Sequence, residues 1–215
     1  PVVYAKDETL LANWRFEQVE HLDGNKSPAV AGESLTGQDM RAVEPRPFAL
    51  DETGNGNHLQ VVEPRDGSRP SPSVFSDVVP FDRIDGKSNT RSLALKGRDY
   101  LLTLDRMLAF SDLRKSWSIA ASVMTQRPDD AQVFLCKDGK TGMKAADLAI
   151  GYDPKEKKFY VEAKGADGEG HRVTAGGPAE AGKWYDVRAA ATYDPKSGQS
   201  KLQFAVKSSQ AGGFG

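Results

Sequence analysis

From Ser92 onward, short apolar runs alternate with polar residues at every second position, and each run stops at Gly, Pro, Asn or Asp. A period of two marks half-buried strands, because successive side chains leave a strand on opposite faces. The pattern predicts strands at Leu10–Glu17, Leu59–Val62, Ser92–Leu95, Tyr100–Leu104, Ser116–Thr125, Gln132–Lys137, Asp147–Tyr152, Lys158–Gly165, His171–Ala175, Trp184–Tyr193 and Lys201–Lys207. No window of a dozen residues keeps a helical period, and the best short helical turn is Ser111–Lys115, capped by Ser111 or Asp112. Many short strands with Gly- and Pro-rich turns fit an all-β, two-sheet antiparallel sandwich, here a single domain over residues 1–215.

Two hairpins stand out. Tyr152-Asp-Pro-Lys155 and Tyr193-Asp-Pro-Lys196 each follow one predicted strand and precede another. Proline presets φ for the first turn position and Asp folds back on the backbone, so turn chemistry explains the repeat. Two stretches, Glu20–Pro47 and Glu63–Arg91, are rich in Gly, Pro, Ser and Asp and predict long surface loops, either binding rims or tolerated insertions. Phe75, Val78, Val79 and Phe81 are expected to pin the second loop to the body.

The aromatics follow the same alternation. Trp14 and Phe16 lie two apart and are expected on one buried face, as are Trp117 and Ile119. Near the carboxyl end either Trp184 or Tyr185 faces inward, the latter together with Val187. A tryptophan stacked on a sugar is the alternative to a core role, foremost for Trp184.

Composition narrows the partners. The chain has 215 residues with 29 Lys plus Arg against 30 Asp plus Glu, a formal net charge of −1. That balance disfavours a nucleic-acid partner, which draws its affinity from clustered positive charge. At 38% hydrophobic and 27% charged residues the sequence is too apolar for a disordered chain and too charged for a membrane protein, and no apolar stretch is long enough to span a bilayer. A single cysteine, Cys136, excludes an intramolecular disulfide and C-x-x-C motifs, and its apolar neighbours predict a small buried hydrophobe. The start at Pro1 fits a cleaved mature chain and an excised fragment equally.

Five motifs in order carry a family resemblance: Trp14-Arg-Phe16, Asp51-Glu-Thr-Gly-Asn-Gly-Asn57, Ser92-Leu-Ala-Leu-Lys-Gly97 with Tyr100, Ser116-Trp-Ser-Ile119, and Lys183-Trp-Tyr-Asp-Val187 leading to Ala191-Thr-Tyr-Asp194. Together they resemble the laminin G-like, concanavalin A-like jelly-roll modules of bacterial secreted proteins, over Leu10 to about Val206. The resemblance implies two antiparallel sheets face to face, the concave one used for ligand, and an extracellular, periplasmic or cell-surface location. The family pattern usually closes with a Gly-x-Ile-Asp-x-Val-Arg-Ile strand, which has no counterpart before Gly215. The final strands are therefore expected to be missing from this sequence or replaced by another segment.

Asp51-Glu-Thr-Gly-Asn-Gly-Asn57 offers oxygen donors on a loop that glycines allow to curl, as Ca²⁺ requires. Asp51 is the anionic ligand of this candidate site and Asn55 or Asn57 adds a carbonyl, with Glu52 or Asp99 as outside help. Gly54 and Gly56 are expected at positive φ. In related modules this stretch often holds calcium; the other reading is a tight turn in which Asp51 and the asparagines satisfy backbone donors themselves.

No catalytic constellation emerges. A retaining hydrolase on this fold needs two carboxylates close together on one strand, and no Glu-x-Asp-x-x-Glu spacing occurs. The three histidines, His21, His58 and His171, form no triad or zinc motif, and His171-Arg172 is the only adjacent pair of interest. The sequence points to a non-catalytic recognition module of a larger exported protein, binding glycan or a protein surface, with Trp184, His171 and Arg172 as ligand candidates. The alternatives are a polysaccharide hydrolase or lyase on the same fold, and an architectural domain packing against other domains.

Overall fold

The computed structural model describes residues 12–17, 19–22, 46–49, 51–53, 59–62, 75–84, 86–95, 100–103, 116–137, 148–164 and 169–209. The chain divides into two compact units, Pro1–Leu108 and Ala109–Gly215. Every described element is a strand.

The first unit holds β1 (Val19–Leu22), β2 (Arg46–Ala49), β3 (Leu59–Val62), β4 (Phe75–Ser76), β5 (Arg83–Ile84), β6 (Lys87–Ser88), β7 (Ser92–Leu93) and β8 (Tyr100–Thr103). An antiparallel four-stranded sheet runs in the order β1-β2-β3-β8, and β4-β7 and β5-β6 form short ribbons. The strand expected at Leu10–Glu17 is not formed over its described residues 12–17, which join no ladder, and Phe16 sits in the left-handed region at φ 61°. That one residue breaks the alternation, and Trp14 and Phe16 are both half-buried. Among the described residues strand pairing is first seen at Val19, and β1 and β2 pair across the two ends of the segment read as a long loop. Within the second such segment Phe81 is buried and Val79 half-buried, while Val78 is exposed and anchors through its carbonyl, which accepts the Ser92 hydroxyl at 2.6 Å. The helical turn expected at Ser111–Lys115 and the glycines Gly54 and Gly56 lie outside the described residues.

Polar contacts join three segments of this unit. The Glu17 carboxylate accepts the Thr90 hydroxyl at 2.7 Å and the amides of Thr90 and Arg91 at 2.5 and 3.1 Å. Burial works against its charge, but these donors and the nearby Arg15 win and hold the carboxyl below its ordinary range. Arg15 donates to the Ser88 carbonyl and lies 3.6 Å from Glu52.

The second unit is two antiparallel sheets packed face to face. One has the order β10-β11-β12-β13, formed by Gln132–Lys137, Leu148–Asp153, Lys158–Lys164 and Gly170–Ala175; the other has the order β15-β14-β9, formed by Gln199–Ser208, Trp184–Asp194 and Trp117–Met124. The register makes the core legible row by row. Across β15, β14 and β9 the inward rows are Val206-Val187-Ala121, Phe204-Ala189-Ile119 and Leu202-Ala191-Trp117. They meet Leu148, Ile150, Tyr152, Phe159, Val161 and Ala163 of the opposite sheet in one apolar cluster. Phe159 lies at its centre, 1% exposed, with ring centroids of Tyr185, Tyr152 and Phe134 at 4.9, 5.1 and 6.2 Å. A bulge between Val133 and Leu135 turns both Phe134 and Leu135 toward this core. The next residue, Cys136, then faces away and is exposed, against the expectation of a buried thiol. Its thiol remains partly desolvated, which pushes its pKa up.

Both Tyr-Asp-Pro-Lys segments are hairpin turns of one design. Asp153 Oδ1 accepts the Lys155 amide at 2.9 Å, and Asp194 Oδ1 accepts the Lys196 amide at 2.9 Å. Each turn closes on a left-handed residue, Lys157 at φ 53° in one and Gly198 at φ 68° in the other. A side chain in that region costs about 1–2 kcal/mol, partly offset by the greater freedom glycine has when unfolded. Lys157→Gly is therefore expected to stabilise by about 0.5 kcal/mol and Gly198→Ala to destabilise by about 1 kcal/mol. Urea unfolding of the two variants checks both signs, and a destabilising Lys157→Gly would refute the account of the turn.

Candidate functional site

The side of the three-stranded sheet that turns away from the core carries an unusual set of side chains. On β9 the outward positions are Ser118, Ala120 and Ser122; on β14 they include Asp186, Arg188 and Ala190; on β15 they are Lys201, Gln203, Ala205 and Lys207. The register sets them in rows: Ser118-Ala190-Gln203, Ala120-Arg188-Ala205 and Ser122-Asp186-Lys207. Outward sheet positions usually hold long polar side chains that cover the backbone. Alanine and serine here leave a shallow depression of about 470 Å³ lined by Ser118, Ala120, Arg188, Ala190, Gln203 and Ala205. Its floor is apolar, and the guanidinium, amide and hydroxyl groups around it supply hydrogen bonds.

Asp186 lies in the next outward row. It is 2% exposed, and its Oδ1 accepts the Ser122 hydroxyl at 2.8 Å and the Ser209 hydroxyl at 2.6 Å. Its Oδ2 is buried with no hydrogen-bond partner. Lys207 stands opposite Asp186 in the register yet is exposed and forms no ion pair with it.

The ligand candidates read from the sequence scatter. Trp184 is half-buried at the start of β14, paired with Met124, and it is Tyr185 that enters the core. The Tyr185 hydroxyl accepts the Glu180 amide at 2.9 Å, and the Tyr152 hydroxyl accepts the Ala179 amide at 3.2 Å, so two core tyrosines pin residues 179–180 ahead of β14. His171 and Arg172 are consecutive on β13 and so leave it on opposite sides: His171 shares a row with core-facing Ala163, Arg172 with Glu162. They form no joint site.

Arg172 is built into the outer side of the four-stranded sheet. Its Nη2 lies 2.9 Å from Asp153 Oδ2 and 3.5 Å from Glu156 Oε1, and its guanidinium lies 4.3 Å from the centroid of the Tyr160 ring. The Arg172 hydrogen bond, together with the Lys155 amide, holds the Asp153 carboxyl below its ordinary range. Tyr160 beneath is 1% exposed, and burial pushes its phenol up to about 12. Arg172 is thus a structural clamp between the turn after β11 and the face of β12.

At the candidate metal loop, Asp51 is fully buried. Its Oδ1 accepts the Asn13 amide at 2.9 Å and the Thr53 amide at 3.0 Å, and the Thr53 hydroxyl lies 2.8 Å from both carboxylate oxygens. A cation on this loop has to share Asp51 with those donors. Asn55 and Asn57 lie outside the described residues, and among the described residues no three His, Cys, Asp or Glu side chains converge.

Arg188 and Gln203 were not singled out by sequence. The usable signal was small residues alternating on the outward positions of three predicted strands, in Ser118-x-Ala120-x-Ser122, Arg188-x-Ala190 and Gln203-x-Ala205. Among the described residues no helix is long and apolar enough to cross a membrane. No protein-family model matches the chain and no curated protein matches it.

Proposed function

We propose that the chain is a non-catalytic carbohydrate-recognition module of an exported protein, on a laminin G-like, concanavalin A-like jelly roll, and that sugar binds the outward face of the β15-β14-β9 sheet. One observation carries this: the depression there joins an alanine floor to the donors and acceptors of Ser118, Arg188 and Gln203. A sugar ring has an apolar C–H face and a polar rim, and a concave, largely apolar site with a few placed polar groups is what binds such a ligand. The five sequence motifs and the paired antiparallel sheets of the second unit support the fold assignment. The resemblance also supports a stabilising Ca²⁺ at Asp51, Asn55 and Asn57, while the donors around Asp51 support a self-satisfied turn; sugar binding at the sheet needs neither.

The test is to fill the floor. Ala120 is exposed, so Ala120→Trp is expected to fold with an unchanged melting temperature while blocking the depression. On a glycan array and by calorimetry the parent protein should bind a soluble polysaccharide, and the variant should bind at least about tenfold more weakly, a loss of 1.4 kcal/mol. Equal binding by the two proteins, or no glycan bound by either, rejects the proposal.

A further inference from the structure

We infer that residues 12–17 form a strap that Glu17 latches onto residues 90–91 of the first unit, closed while its carboxylate is charged and released when that carboxylate takes up a proton. The strap is tied at both ends. At Asn13 its backbone is held on two sides, the amide donating to Asp51 Oδ1 at 2.9 Å and the carbonyl accepting the Glu52 amide at 2.9 Å. At Glu17 one carboxylate gathers three donors, the consecutive amides of Thr90 and Arg91 at Oε1 and the Thr90 hydroxyl at Oε2. Arg15 stands between the two ends, donating to the Ser88 carbonyl and lying 3.6 Å from Glu52. Residues 12–17 join no ladder, so strand pairing does not hold them there.

Strain biases the strap toward opening. Phe16, next to the latch, sits at φ 61°, a backbone region that is costly for any residue with a side chain and persists only where the surroundings impose it. Arg15 Nε is buried with no hydrogen-bond partner among the described residues, a second cost of the closed arrangement. Both costs disappear on release, so closure depends on the contacts at the ends. The strap contributes only backbone groups at Asn13; at Glu17 it contributes a side chain that titrates.

Protonation acts on that side chain. Hydrogen bonds to an ionised acceptor are stronger than neutral ones, so neutralising Glu17 weakens all of its contacts together. The charged group acting on it is Arg15 from its own segment; Arg91 on the receiving segment meets it through the amide, and Glu52 lies on the segment beyond Arg15. Burial opposes the charge, but the Thr90 and Arg91 donors and Arg15 outweigh it and hold the carboxyl below its ordinary range. A carboxyl held low in the folded state contributes stability above its unfolded-state pKa that is lost as pH falls through the folded-state value. The strap is therefore closed at neutral pH and opens in acid, below the ordinary carboxylate range.

Amide hydrogen exchange on the full chain tests this, expressed as protection relative to the unstructured rate at each pH so that the acid dependence of exchange itself divides out. The reporter is the Glu52 amide, whose acceptor is the Asn13 carbonyl, because neither group titrates and both are remote in sequence from Glu17. In the parent protein its protection should fall at least about tenfold as pH drops through and below the carboxylate range, a local opening during which the β3 and β14 amides stay protected. Glu17→Gln keeps the shape of the side chain without the charge, and should show that loss already at neutral pH with no further step in acid. Glu52 protection that holds throughout the acid range in the parent overturns the inference. So does a Glu17→Gln variant as protected as the parent at neutral pH, or one that keeps the parent's step in acid, which would place the titrating group elsewhere. Loss of β3 protection together with that of Glu52 would show that the strap has no opening of its own and likewise overturns it.

Discussion

Phe159→Ala is expected to destabilise the second unit by about 3–5 kcal/mol, the range for removing a fully enclosed aromatic ring. The ring touches both layers, with Tyr152 beside it in its own sheet and Tyr185 from the sheet opposite. Its loss removes the transfer energy of the ring, leaves a cavity that two rigid sheets close only in part, and forfeits edge and tilted aromatic contacts worth roughly 0.5–1.5 kcal/mol each. Phe159→Leu keeps most of the volume and should cost less than half as much. Because the chain has two compact units, a single unfolding curve need not describe it. Amide hydrogen exchange on β11, β12 and β14 reads the second unit alone. A loss below about 1 kcal/mol there would mean that the two sheets do not close on Phe159.

The same contrast between units explains what the sequence revealed. In the second unit, local chemistry and tertiary context agree. Gln132–Lys137 was read with the boundaries it has, and Trp184–Tyr193 differs from the observed β14 by one residue, because Tyr-Asp-Pro-Lys turns bracket long alternating runs. What alternation left open was phase. Whether Trp184 or Tyr185 turns inward depends on the partner row, and Tyr185 pairs with inward-facing Val123. In the first unit phase is lost at Phe16, a left-handed residue that no composition rule marks, and among the described residues strand pairing is first seen at Val19. β1 finds its partner in β2 beyond a Gly- and Pro-rich stretch, a long-range pairing that four-residue strands do not announce. The site was harder still. Arg172 was legible as a charged residue on a strand, but its partners Asp153 and Tyr160 come from a neighbouring turn and strand, and they make it a clamp. That Arg188 lies between Ala120 and Ala205 is a property of register and of no single stretch of sequence.

Register also decides the second large effect, at Gly151 in the middle of β11. The outward row there is Val133-Gly151-Tyr160-Thr174, and the Tyr160 ring lies across the missing side chain. A Cβ on Gly151 would meet the backbone carbonyl oxygen of Gln132 on β10 and come within 2.7 Å of Tyr160 Cζ. The phenol is held from above by the Arg172 guanidinium, so it has no easy escape, and the Gln132 carbonyl moves only if β10 moves. Overpacking of this kind costs about 1–3 kcal/mol when side chains alone give way, and Gly151→Ala should reach at least the upper end because backbone is involved. Combining it with Tyr160→Ala separates the two clashes. If the phenol were the whole obstacle the double variant would regain most of the loss; with the Gln132 carbonyl also in the way, a residual cost of more than about 1 kcal/mol should persist after the coupling is subtracted. That residue of strain should appear as faster hydrogen exchange along β10 while the β14 and β15 amides stay protected. A Gly151→Ala variant as stable as the parent would show that β10 and β11 are not paired in the register Gln132-Tyr152, Val133-Gly151.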